Sequence, residues 1–148
     1  SLLAGCGSSA QQGGAASSEA ASTDTAASVP DGGEDNIIRV GVVCSMTGGS
    51  AIYGEGAQNA VDMAVEEINA GDSGYKIEIV NGGKVADDAK DAKQAMNAYN
   101  KVMADSPEAI VGSFFLSVTL PMAEQASKDG MLLATGATNA DVTLKGDL

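Results

Sequence analysis

The sequence predicts an α/β fold in which parallel strands alternate with helices. Three observations carry this prediction: a nearly continuous apolar run at 37–44, a helical spacing of apolar residues over 54–70, and later strand-like runs joined by short loops. Continuous apolar runs are typical of strands covered on both faces. Strands and helices that alternate through short loops require right-handed crossovers, which place the helices on the faces of a parallel sheet.

The first strand and the first helix each have a clear signal. The run at 37–44 is rich in β-branched residues and ends in a turn-rich loop at 45–50. In the helix that follows, apolar residues recur at three- and four-residue spacings, and Gly71 is placed to end it. The predicted inward stripe of this helix consists of Ala57, Ala60, Val61, Ala64, Val65 and Ile68.

A second strand is predicted at 75–80 from its alternating pattern, and the stretch 81–83 turns the chain. Asp87 or Asp88 is expected to cap the next helix, because a carboxylate accepts hydrogen bonds from the free N–H groups of a first turn. The predicted stripe of that helix consists of Ala92, Ala95, Met96, Tyr99, Val102 and Met103.

The remainder repeats the same pattern. A third strand is predicted at 109–111 and a fourth at 131–134, with a helix between them whose expected cap is Ser117 or Thr119. In an open parallel sheet, ligands bind beyond the carboxyl ends of the strands, near the point where the strand order reverses. The loops that define the expected site cover residues 45–54, 81–87, 112–118 and 135–140.

Composition and motifs exclude several functions. The formal net charge is −12, with 8 bases against 20 acids, which argues against a nucleic-acid binder because such proteins cluster Lys and Arg. The absence of histidine removes the usual Ser-His and Cys-His catalytic pairs. A dinucleotide fingerprint fails at Asn59, where its third glycine belongs, and neither a P-loop nor a nucleophile elbow occurs. We therefore expect no enzyme, no cofactor and no metal.

Two groups of reactive residues have simple structural explanations. Asp87, Asp88 and Asp91 lack the spacing of a calcium loop and suit a helix N-terminus, where the dipole favours acids. Cys44 ends an apolar run and is expected to be a small buried hydrophobe.

The first 36 residues indicate a membrane anchor and a tether. The stretch 3–6, which ends in Cys6, resembles the lipobox of bacterial lipoproteins, so residues 1–6 are interpreted as the end of a signal peptide and Cys6 as the lipidated residue. Residues 7–36 are too poor in large apolar side chains to form a core, and we expect a disordered tether there. The chain begins with Ser1, and we expect it to be a piece of a longer protein.

The order of several short motifs resembles the start of the branched-chain amino acid (Leu/Ile/Val) binding lipoproteins of ABC importers, a family of type I periplasmic binding proteins. The resemblance covers 37–148 in order and without long gaps. The matching stretches are 38–43, Thr47-Gly48, Tyr53-Gly54, 64–71, 110–113, Ser117, Thr119, Pro121 and 136–139.

This resemblance implies a two-lobed protein that closes on one amino acid. Residues 37–148 would be the incomplete first lobe, a Rossmann-like parallel-sheet domain that grips the α-amino and α-carboxylate groups. The implied protein is extracytoplasmic, lipid-anchored and monomeric, with ABC permease subunits as partners. Two alternatives stay open: a sensor ectodomain of the same fold, and a membrane-tethered α/β enzyme whose catalytic groups lie outside this sequence.

The resemblance also implies particular site residues. Tyr53 matches an aromatic residue that lines the cleft, although it suits packing on its own lobe as well. Ser117 and Thr119 match positions where hydroxyl and N–H groups at a helix start hold the ligand carboxylate, and simple capping is the alternative.

The ligand ammonium is expected in the last loop. There Thr138, with the carbonyl of Gly136 or Ala137, matches the family's ammonium site, and a turn-stabilising threonine is the alternative. The sequence departs from the family at 114–116, where Phe-Phe-Leu replaces small or hydroxyl residues. Leu116 is therefore included among the predicted ligand-binding residues, as a position that shapes the ligand preference.

Overall fold

The computed structural model describes residues 36–145. Cys6 and the whole of the predicted tether except Asn36 lie outside these residues, so the lipid anchor and the tether stay predictions. Within 36–145, no helix combines the length and the hydropathy that a membrane span requires.

One sheet of parallel strands organises the described part of the chain. Its strands are β1 (Ile37–Cys44), β2 (Lys76–Ile79), β3 (Ala86–Asp87), β4 (Ala109–Val111) and β5 (Leu132–Ala134). The strand order is β2-β1-β4-β5, and β3 pairs with the last two residues of β1. Every pair is parallel, as predicted, and the four predicted strands are confirmed. The two-residue strand β3 is too short to leave a pattern in the sequence.

Helices cover both faces of this sheet. They are α1 (Ala51–Ala70), the four-residue α2 (Val80–Gly83), α3 (Ala92–Met103) and α4 (Leu116–Asp129), with 3-10 turns at Gly48–Ser50 and Ala140–Lys145. Successive residues of β1 alternate between two cores, because side chains in a strand point to opposite faces. The core beneath α3 and α4 includes Val43, Tyr99, Val102, Ile110, Val118 and Met122. The smaller core beneath α1 includes Val42, Cys44 and Val85.

The cap of α3 differs from the prediction. Asp91 is the capping residue, and its Oδ1 accepts hydrogen bonds from the N–H groups of Lys93 at 3.0 Å and Gln94 at 2.9 Å. The two residues predicted for this role, Asp87 and Asp88, lie before the helix. Their carboxylates already accept hydrogen bonds from the loop after β1, so the helix begins only at the next acid.

The predicted stripe of α1 is only partly buried. Its residues divide into a half-buried group, Ala57, Val61 and Val65, and an exposed group, Ala60, Ala64 and Ile68. The reason is the position of the helix, which lies over β1 and β2 and leaves β4 and β5 open on this face. Val111 and Leu132 are accordingly 39% and 54% exposed.

Candidate ligand site at the carboxyl edge of the sheet

The strand order places the candidate site between two loops. From β1 the chain adds β2 on one side and β4 and β5 on the other, so the order reverses between β1 and β4. The loops that follow β1 and β4 flank this reversal, and loops in this position form the ligand crevice of open α/β sheets. The loops after β3 and β5 lie beside them and are joined to them by hydrogen bonds.

The loop after β4 lies directly against β1. Gly112 has a φ of 128°, and a Cβ atom there would lie 1.7 Å from the carbonyl oxygen of Val43, so only glycine fits. The next residue, Ser113, is buried, and its carbonyl oxygen accepts hydrogen bonds from the hydroxyls of Thr135 at 2.6 Å and Thr119 at 3.3 Å. These contacts fix the direction in which the chain enters α4.

The start of α4 has free hydrogen-bond donors. Phe115 occupies the cap position and provides no side-chain cap, so the prediction that Ser117 or Thr119 caps this helix is wrong. Within 36–145 we find no acceptor for the backbone N–H groups of Leu116 and Ser117. The Ser117 side chain is exposed beside them. Free N–H groups and the helix dipole together favour a negative ligand group at this end.

Thr119 is placed differently from Ser117. Its side chain is fully buried, and its hydroxyl donates to the carbonyl oxygens of Phe115 at 3.0 Å and Ser113. The structure therefore gives Thr119 a supporting position under the loop. Direct contact between its hydroxyl and a ligand stays a prediction, which this burial does not favour.

The loop after β5 presents Thr138 at the same edge. Thr135 organises this loop, since its hydroxyl donates to Ser113 and accepts the N–H of Ala137 at 3.0 Å. Ala137 is half-buried, whereas Thr138 is exposed. We find no hydrogen bond from the Thr138 hydroxyl to any residue in the described range, so it is free to bind a ligand.

Aromatic side chains line the edge of this site. Tyr53, in the first turn of α1, is 56% exposed and meets Phe115 edge-to-face, with ring centroids 5.7 Å apart and planes at 88°. Phe114 is 44% exposed and lies so close to Gly136 that a Cβ atom there would be 2.6 Å from its ring. Leu116 is half-buried. The unusual 114–116 stretch thus places one phenylalanine at the surface and packs the next against Tyr53.

The end of β3 and the turn after it border the candidate site, and the sequence does not predict their hydrogen bonds to the loop after β1. Asp87 accepts hydrogen bonds from the N–H of Met46 at 2.8 Å and the hydroxyl of Thr47 at 2.7 Å. Asp88 is fully buried and accepts one from the Ser45 hydroxyl at 2.5 Å. These bonds fasten the loops after β1 and β3 together. The only sequence signal is the Asp-Asp pair, which suits a helix cap equally well.

The hydrogen bonds to Asp87 make the stability of the lobe sensitive to acid. Burial alone would raise its pKa, but donors from Thr47, Ala89 and Met46 outweigh burial and lower the pKa below its ordinary value. A carboxylate with a lowered folded pKa stabilises the fold above its unfolded pKa of about 3.9, and this contribution is lost as pH falls through the folded pKa.

We therefore expect Asp87→Asn to lower the free energy of unfolding by about 1 kcal/mol at neutral pH. The difference from wild type should shrink as pH falls below about 4. Urea unfolding of both proteins, at neutral pH and at pH values below about 4, measures this difference. Asp72→Asn is the control, because Asp72 is an exposed acid in the loop after α1. A difference that stays constant with pH would contradict the assignment.

The remaining reactive groups have structural positions. Burial is the main cause that raises the pKa of the Cys44 thiol to about 11. The nearby charges of Asp88 and Asp87 also raise this pKa, whereas a backbone hydrogen bond from Ser45 lowers it. The thiol is therefore protonated at neutral pH, as suits a small buried hydrophobe. No group of three His, Cys, Asp or Glu side chains in the described part of the chain is arranged to hold a metal ion.

Comparison with known proteins agrees with this fold. A family model described as periplasmic binding protein matches residues 37–146. The chain belongs to the periplasmic binding protein family. Among the relatives of this periplasmic binding protein, the Leu/Ile/Val-binding protein homolog 1 of Brucella abortus is 35% identical over 112 residues. The match covers 74% of this chain and 29% of that relative, so the chain spans less than a third of the relative's length.

Solved structures give the same fold. The branched-chain amino acid transporter substrate-binding protein LivJ of Streptococcus pneumoniae, in complex with isoleucine, aligns with a TM-score of 0.63 at 28% identity. That alignment covers 73% of this periplasmic binding protein and 31% of LivJ. A solute-binding protein of an ABC transporter from Rhodopseudomonas palustris, in complex with 3,4-dihydroxybenzoic acid, aligns with a TM-score of 0.65 at 22% identity. It covers 75% of this chain and 30% of the other and supports the fold alone.

Proposed function

We propose that this chain is part of the extracytoplasmic solute-binding component of an ABC importer and that it binds an amino acid, most suitably a branched-chain one. The observation that carries the proposal is the pairing at one sheet edge of free N–H donors, at Leu116 and Ser117, with the free hydroxyl of Thr138. The names of the Brucella and Streptococcus relatives supply the ligand class.

The two halves of this arrangement suit the two charged groups of an amino acid. The start of α4 is a preformed site for the α-carboxylate, because its N–H groups and dipole are directed toward the ligand before binding. The loop after β5 offers oxygen acceptors at Gly136 and Thr138 for the α-ammonium. The buried hydroxyl of Thr119 supports the loop before α4. The hydrogen bond from the Ala137 N–H to Thr135 fixes the backbone of the loop after β5.

The rest of the ligand needs a second wall. We propose that 37–148 forms most of one lobe and that the remainder of a longer protein supplies the second lobe, since the relatives are about three times as long as the matched region. A lipid on Cys6 would hold such a monomeric protein at the outer face of a membrane, where permease subunits take up the ligand. A transport protein and a sensor of this fold would differ only in the membrane partner that the protein contacts.

The aromatic edge supports a second class of ligand. Tyr53 and Phe114 are both more than two-fifths exposed beside the proposed carboxylate site, and aromatic faces favour flat aromatic ligands. An aromatic carboxylate would use the same start of α4 and would need no ammonium site. Titration with leucine and with benzoate therefore distinguishes the two classes in one experiment.

Variants at the start of α4 test the proposal directly. We expect Ser117→Ala to weaken leucine binding about tenfold, because a hydrogen bond to a charged ligand group is lost. Leu116→Ser should leave the affinity unchanged or raise it slightly, since it restores the small hydroxyl residue of related loops. Calorimetry on the two-lobed protein measures both. An unchanged affinity in Ser117→Ala, with an unchanged melting temperature, would place the carboxylate elsewhere.

A further inference from the structure

Lys90 holds an unusual position beside the candidate site. Its ammonium lies 4.2 Å from the centroid of the Phe115 ring, within the range in which a cation is attracted to an aromatic face. The same ring also contacts Tyr53. The first turn of α1 and the turn after β3 thus both contact Phe115, the residue immediately before the free N–H groups of α4.

The backbone that carries Lys90 is held in place by its neighbours. Ala89 and Lys90 have φ values of 48° and 55°, a left-handed conformation that glycine adopts without cost and other residues do not. Two hydrogen bonds of 2.8 Å fix it: Ala89 N–H donates to Asp87, and Lys90 N–H donates to Asp88. The same two carboxylates bind the loop after β1. The turn is therefore held by hydrogen bonds at both residues, and the lysine side chain reaches Phe115 in the loop after β4.

We propose that Lys90 is a positioning residue of the ligand site, which clamps Phe115 and thereby fixes the start of α4 and the ring of Tyr53. The effect of this clamp on ligand binding rests on the proposed function, whereas the contact between Lys90 and Phe115 does not depend on it. It acts by preorganisation: a ring held by two contacts, with Lys90 and with Tyr53, keeps the N–H groups of Leu116 and Ser117 in place before the ligand arrives. The contact gives the left-handed position 90 a side-chain role that glycine could not fill.

Removing the cation should weaken binding without removing any ligand contact. We expect Lys90→Met to lower leucine affinity about three- to tenfold, the effect of one cation–π contact. The separate variant Lys90→Arg should keep wild-type affinity, because a guanidinium stacks on an aromatic ring at least as well as an ammonium. Lys93→Met is the matched control: it removes the same charge from the exposed first turn of α3 and should leave affinity unchanged.

A double-mutant cycle separates a clamp from a direct ligand contact. If Lys90 acts through Phe115, Phe115→Leu should weaken binding to a similar degree, and adding Lys90→Met to it should have little further effect. Additive losses would overturn the proposal and assign Lys90 to the ligand itself. Equal affinities of Lys90→Met and Lys93→Met would also overturn it.

A second readout does not require a ligand. In the NMR spectrum of the two-lobed protein, the ε-methylene protons of Lys90 should be shifted upfield by the Phe115 ring, and the shift should disappear in Phe115→Leu. A protein that binds no amino acid but shows this shift would contradict the proposed function and support the clamp. Absence of the shift in the wild-type protein would refute the clamp whatever the protein binds.

Discussion

Gly112→Ala should destabilise this lobe severely, although it adds only one methyl group. Its Cβ atom would lie 1.7 Å from the Val43 carbonyl oxygen, in a strand at the centre of the sheet, and the φ of 128° is unfavourable for alanine even without that contact. Backbone strain and overpacking together should lower the free energy of unfolding by roughly 3 to 4 kcal/mol. Urea unfolding monitored by circular dichroism measures the loss.

The matched control is Gly56→Ala, within helix α1. Apart from the backbone of its own helix, no atom lies within 4 Å of the position that its Cβ would occupy, and alanine favours helix, so this variant should be about 0.5 to 1 kcal/mol more stable than wild type. The same change from glycine to alanine is therefore expected to lower the free energy of unfolding at Gly112 and to raise it at Gly56. If Gly112→Ala unfolds within about 1 kcal/mol of wild type, the close approach of β1 and the loop after β4 is wrong.

Thr138→Val should produce the largest loss of ligand affinity. The substitution keeps the shape of the side chain and removes only the hydroxyl, which is exposed and free of hydrogen bonds within residues 36–145. Losing a hydrogen bond to a charged ligand group should cost on the order of 1.5 to 3 kcal/mol, or about ten- to a hundredfold in affinity. Calorimetric titration of leucine into the two-lobed protein measures this loss.

Thr143→Val provides the control for Thr138. Thr143 is also exposed and also near the end of the described chain, but its hydroxyl donates to the carbonyl oxygen of Ala140 at 2.8 Å, in the 3-10 turn after the site. We expect this variant to bind leucine like wild type. If both threonine variants bind equally well and melt together, the ammonium site does not include Thr138.

The fold was predictable because its main signals are local. The apolar run of β1 and the spacing of apolar residues in α3 depend on the chain's own period, and the structure confirms them except at Ala92, which is exposed. The burial of α1 was less predictable, because half of its apolar stripe faces a region of the sheet that no described residue covers. Ala60 and Ala64 satisfy the helical period but lie exposed, since period alone does not say what a stripe packs against.

The placement of the loops of the candidate site was predictable, whereas the contacts between them were less so. Sheet topology brings the loops of Ser117 and Thr138 to one edge, whereas the burial of Thr119 depends on contacts between separate strands that leave no local pattern. The turn with Lys90 combines two left-handed residues without a glycine, and no sequence signal marks such a turn. Its cation–π contact with Phe115 joins two loops that are distant in the sequence, so no short-range pattern could indicate it.

The most direct test of the central claim is calorimetric titration of leucine, isoleucine and valine into two proteins: the chain extended to the second lobe, and residues 36–148 alone. A cleft with one wall leaves the ligand solvated, and proteins of this type close around their ligands. We predict micromolar or tighter binding of at least one of the three amino acids by the two-lobed protein and no measurable binding by the single lobe. Equal binding by both proteins, or binding by neither, would contradict the account.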